Sequence, residues 1–126
     1  MINRSTVVTV LILLVSSFSV TAKEMDIFKI FNQFTAVSAA SGKCIKPSSE
    51  DLTSFLANYQ MVSTLMYKKI KSRKPKWPDE KVNKFIENGS NKITIKIHNL
   101  INSEGCDSPK VQALTNRFYV QAKWKP

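Results

Sequence analysis

The stretch Lys92-Ile93-Thr94-Ile95-Lys96-Ile97-His98 decides the fold class, because it can be read two ways. Apolar and polar residues alternate along it, as in an edge strand with one buried face. Yet Ile93 and Ile97 also fall in step with Leu100 and Ile101 at helical spacing. A strand needs a neighbour to pair with, and no second alternating run occurs in the chain. The spacing therefore predicts helix here, and an all-α protein; α+β is the alternative if residues 92–98 form a strand. Gly89-Ser90 is the point at which such a helix could break in two.

Working outward, the same helix extends back through Ile86, Phe85 and Val82 to Trp77-Pro78-Asp79-Glu80, with proline expected at its first position and acids behind it. It extends forward to Gly105. The clearest helix lies upstream, where Pro47-Ser48-Ser49-Glu50-Asp51 offers a serine cap and two acids. Leu52, Phe55, Leu56, Tyr59, Val62, Met66 and Ile70 then recur every three or four residues, to a stop before Pro75. An earlier helix is expected over about 24–40, with a phenylalanine-rich stripe and Gly42 as its C-cap. A last one starts at Ser108-Pro109 and carries Val111, Leu114, Phe118 and Tyr119. Four amphipathic helices with short connections predict a compact bundle.

Residues 1–22 have the layout of a cleavable signal peptide. Arg4 is followed by an apolar run from Val7 to Val15, then by serines, and Val20-Thr21-Ala22 ends it with small side chains at the cleavage positions. Even taken to Val20 the run is 14 residues with three serines inside it, too short for a membrane-crossing helix of about 20 apolar residues. The expected product is one domain, residues 23–126, exported to the periplasm or beyond. In such a compartment Cys44 and Cys106 are expected to pair, tying together the starts of the second and fourth helices. Two cysteines and the single histidine, His98, fall short of a metal site of four ligands, and neither metal nor cofactor is expected.

Little in the chain points to catalysis. His98 sits between Ile97 and Asn99 without a recognisable nucleophile pattern, and the neighbouring acids Glu50-Asp51 and Asp79-Glu80 diverge on a helix. With Gly42, Gly89 and Gly105 the only glycines, there is no phosphate-binding loop. Asn88-Gly89-Ser90 matches the N-glycosylation pattern, which matters only in a eukaryotic source. The sequence reads as a non-enzyme.

Charge is the feature above background. The chain carries 19 basic and 9 acidic residues, and loss of Arg4 with the leader lowers the net charge from +10 to +9. Basic residues crowd between Lys68 and Trp77: Lys68, Lys69, Lys71, Arg73, Lys74 and Lys76, closed by the aromatic. Such a stretch fits a phosphate-bearing partner, with tryptophan stacking on a base or entering a headgroup layer. The plainer reading is a solvated helix end, with Trp77 packed as a staple over the third helix. Two functions are therefore expected. The first is a small exported protein that binds another macromolecule, as an inhibitor, immunity-type protein or chaperone, its partner a protein and an acidic one by charge. The alternative is a binder of nucleic acid or anionic membrane surface through residues 68–77. No small-molecule substrate is implied.

Overall fold

A computed structural model describes residues 25–125; the expected signal peptide lies outside the described residues. The described chain forms four helices in the order α1 (Ile27–Cys44), α2 (Ser49–Arg73), α3 (Asp79–Glu104) and α4 (Pro109–Lys123). No strand occurs among the described residues, and residues 92–98 lie within α3. Ile97 is buried while Ile95 is 60 % exposed, so the 3.6-residue period and not the alternation sets which isoleucines face the core.

The ends follow local chemistry. Asp26, Ser48 and Ser108 cap α1, α2 and α4 by accepting hydrogen bonds from the amides of Lys29, Asp51 and Val111. Two expected boundaries are corrected. α1 runs through Gly42 to Cys44 and ends with an extended Ile45 as its C-cap, two residues ahead of Pro47. Pro78 is the N-cap of α3 and not its first residue, so Asp79 opens the helix. Gly89-Ser90 leaves α3 unbroken.

α1 is the hub, packing against all three other helices, while α3 leans chiefly on α1 and more lightly on α2. Successive helices run antiparallel, so that the end of α2 meets both the start of α1 and the start of α3. Phe34 and Phe55 pack with centroids 5.5 Å apart, Phe55 stacks on Phe118 at 4.6 Å, and Val37, Val62 and Val82 complete a core shared by all four helices. Within it the Thr35 hydroxyl donates to the Phe31 carbonyl at 2.9 Å and accepts from Tyr59 at 2.7 Å, which satisfies a buried polar group. A second cluster gathers Ala39 and Ala40 of α1 with Ile97 and Val111.

The two ends of α1 differ in side-chain size, and this shapes the molecule. Beside Ala36, Ala39 and Ala40 the C-terminal half of α3 approaches closely through Ile93, Ile97, Leu100 and Ile101. At the other end α1 presents the larger Phe28 and Phe31, and grooves lined in part by these rings lie on both sides of the N-terminal half of α3. The expected disulfide is present: Cys44 at the end of α1 is bonded to Cys106, with Cα atoms 5.5 Å apart.

Candidate functional site

Helical geometry divides the basic stretch 68–77. Lys68 and Lys71 point toward α3, whereas Lys69 and Arg73 turn to the opposite side, against the start of α1. Arg73 lies over the ring of Phe28 at 4.8 Å. Lys71 is tied down, its ammonium donating to the Trp77 carbonyl at 2.8 Å and lying 3.4 Å from Asp79 Oδ1. The phenol of Tyr67 donates to the same Asp79 oxygen. These contacts hold the Asp79 carboxyl below its ordinary value of 3.8 and push the Tyr67 hydroxyl up from 10.0.

Lys74-Pro75-Lys76-Trp77 is a tight turn closed by a hydrogen bond from the Trp77 amide to the Lys74 carbonyl at 3.0 Å, with proline in its favoured second position. Lys74 and Lys76 stand exposed on it. Trp77 is half-buried, edge-on to Phe85 at 5.8 Å, with the Lys81 ammonium 4.5 Å from its ring centre. The seven residues singled out in the sequence therefore do not form one patch.

A different basic surface is continuous. Lys81, Lys84, Phe85, Asn88, Lys92, Ile95 and Lys96 fall within a stripe roughly 120° wide along α3, given 3.6 residues per turn. All seven are exposed. Phe85 is 49 % exposed and Ile95 60 %, large apolar side chains set among four lysines. Among the described residues none of these lysines is in an ion pair. The helix's acids lie off the stripe, Glu80 and Glu87 on one flank and Asp79 and Glu104 toward the bundle. From Lys81 to Lys96 the stripe spans about 22 Å at 1.5 Å per residue. At its start a shallow groove of about 420 Å³ is lined by Trp77, Pro78, Glu80, Lys81, Lys84 and Phe85, so one carboxylate shares it with two lysines.

This surface was hidden in the sequence because its cations are spaced three to eight residues apart, and only the helix brings them into line. The signal that could have found it is the same period that located the core, applied to the residues left outside the apolar stripe. His98 is half-buried on α3, and Asn88 is exposed midway along that helix. Among the described residues no group of His, Cys, Asp and Glu could hold a metal ion, and no helix is long and apolar enough to cross a membrane. The chain matches no protein-family model, and no curated protein or solved structure is significantly similar to it.

Proposed function

We propose that this is an exported, non-enzymatic protein that acts by docking against a negatively charged macromolecular surface. The observation that carries this reading is the outer face of α3, where four lysines without ion-pair partners run beside exposed Phe85 and Ile95. Cations in line and outside any ion pair raise the local concentration of an anionic partner, and the apolar side chains between them gain by leaving water on contact. The disulfide, a bond that persists in oxidising compartments, supports a place outside the cytoplasm.

The reading as an inhibitor, immunity-type or chaperone-like protein stands second, and one observation favours it. Leu52 and Leu56, a turn apart on α2, are exposed without a lysine between them, and Tyr119 and Val120 are exposed on α4. Such apolar side chains suit a protein partner.

The test is retention of native-source extract on the disulfide-intact exported protein at low and at moderate salt. The proposal expects anionic material to be retained at low salt and lost steeply as salt rises. A single protein held equally at both salts, with nothing anionic retained, moves the function to the second reading.

A further inference from the structure

We infer that the partner is a lipid bilayer carrying anionic phospholipid, against which the outer face of α3 lies flat. This rests on the reading of the protein as an anionic-surface binder and names the surface. Lys81, Lys84, Lys92 and Lys96 reach phosphate headgroups, while Phe85 and Ile95 enter the layer between headgroup and acyl chain.

Three observations separate a bilayer from the other anionic partners. The most exposed apolar side chain of the face is aliphatic: Ile95, at 60 %. An isoleucine has no π-face to stack on a base, so a single-stranded nucleic acid leaves it without a role, and a duplex backbone offers it no apolar pocket. The cations of the stripe are all lysine. Protein interfaces favour arginine and exclude lysine from their cores, whereas lysines near an anionic bilayer surface are each worth about 1 kcal/mol without needing a fixed partner geometry. The third is the shape of the charge. Four cations along about 22 Å of helix suit an extended anionic surface more than a single phosphate group.

The bundle keeps the helix in place while it docks. Val82 and Ile97 are buried on the opposite side of α3, so contact requires no unfolding and the face is presented already ordered. Trp77 stays within the protein, its ring backing Phe85 and covered by Lys81, and stiffens one anchor without entering the lipid. Lys68, Lys74 and Lys76 lie outside this stripe and are not needed.

The experiment is co-sedimentation of the disulfide-intact exported protein with vesicles of phosphatidylcholine alone, or with a third of phosphatidylglycerol. The expected result is binding to the second kind only, weakened by salt. Neutralising Lys92→Gln and Lys96→Gln together lowers the affinity about fivefold for each lysine, and Ile95→Ser lowers it several-fold. Ile95 and both lysines are exposed, so these variants keep the fold, and unchanged thermal unfolding verifies it. Lys74→Gln with Lys76→Gln serves as the control and leaves binding close to wild type. Equal binding to both kinds of vesicle, or to neither, overturns the inference. Retention of nucleic acid or an acidic protein with no vesicle binding overturns it too, while the broader proposal of an anionic partner survives. Vesicle binding that survives the α3 changes and is lost in the Lys74/Lys76 control moves the site back to the turn and overturns the assignment to α3.

Discussion

The Lys71 ammonium donates to the Trp77 carbonyl at 2.8 Å and lies 3.4 Å from the Asp79 carboxylate, bridging the turn from which α3 starts. The cation is thereby committed to structure in the middle of the most basic run of the chain. Lys71→Met removes the donor and leaves the methylene stem in place, and is expected to cost about 1 kcal/mol, since the contacts are partly open to solvent. Lys74→Gln and Lys76→Gln, on the exposed side of the same turn, are expected to stay within about 0.5 kcal/mol of wild type. Urea denaturation of the three variants checks the distinction. A cost at Lys74 equal to that at Lys71 contradicts it.

The same junction gives stability a dependence on pH. Hydrogen bonds from Tyr67 and Lys71 depress the folded Asp79 carboxyl below 3.8. A depressed carboxyl contributes stability in full above its unfolded value and loses it as pH falls through the lower folded value. Tyr67, pushed above 10.0, has the opposite sign: its contribution is present below 10.0 and is lost as pH rises through the folded value. Asp79 is exposed and Tyr67 only partly covered, so the effects are modest. Thermal unfolding of Asp79→Asn across acid pH is expected to fall less steeply below about pH 4 than that of wild type. Parallel curves count against this coupling.

How much of this could be read in the chain depends on which interaction sets each feature. The caps at Ser48 and Ser108 were legible because the hydroxyl and the amide it accepts from are three residues apart. The pairing of Cys44 with Cys106 followed from two cysteines in a chain whose start reads as an export signal. The end of α1 was misplaced at Gly42 because glycine permits a left-handed cap without compelling one. The helix instead ends after Cys44 with Ile45 extended as its C-cap, and Pro47, two residues on, disfavours the helical conformation at Lys46 and so bars any longer continuation. The candidate site was legible only as charge. Density along the chain singled out 68–77, but helical rotation scatters those side chains and commits Lys71 and Trp77 to packing. The α3 face is sparse along the chain and dense in space, so only the three-dimensional arrangement shows it.

Breaking the disulfide tests how far the core stands alone. Cys44 and Cys106 are 62 residues apart, and a loop of that size is worth about 4 kcal/mol through the unfolded chain. Replacing both cysteines with serine is expected to lower the unfolding free energy by about that amount, measured by urea denaturation against the oxidised protein. A loss below about 1 kcal/mol indicates that the reduced unfolded chain is already compact.

Gly105 and Gly89 are expected to respond to alanine with opposite signs. Gly105 ends α3 at φ 84° and ψ 166°, a region that is essentially glycine's alone. A Cβ there meets no atom within 4 Å, so the cost of Gly105→Ala, about 1–3 kcal/mol, is backbone strain alone. Gly89 sits inside α3, exposed and with equally open space around a new Cβ. Gly89→Ala is expected to stabilise by up to about 1 kcal/mol through helix propensity. Denaturation midpoints of the two variants on either side of wild type support this assignment.

Asn58 ties the end of α4 to α2, its side-chain amide donating to the carbonyls of Gln121 at 2.7 Å and Trp124 at 2.9 Å. The Gln121 carbonyl also accepts the Trp124 amide at 3.3 Å, so Asn58 reinforces the cap of α4 and fixes it against α2. Asn58→Ala is expected to cost about 1–3 kcal/mol, because the link from α2 to the α4 cap is lost at a partly buried site where the Trp124 carbonyl gives up its side-chain donor. Asn58→Asp is the sharper probe. An ionised carboxylate cannot donate, and it would face carbonyl oxygens at the negative end of the helix dipole, so at neutral pH it is expected to cost more than alanine. Its carboxyl should then titrate above the ordinary value in the folded state. The protonated form is favoured there, so part of the lost stability returns as pH falls through that raised value. Urea denaturation of both variants at neutral and mildly acid pH measures this. A variant carrying aspartate that stays parallel to the alanine variant across that range shows that the amide protons are not what holds the end of α4.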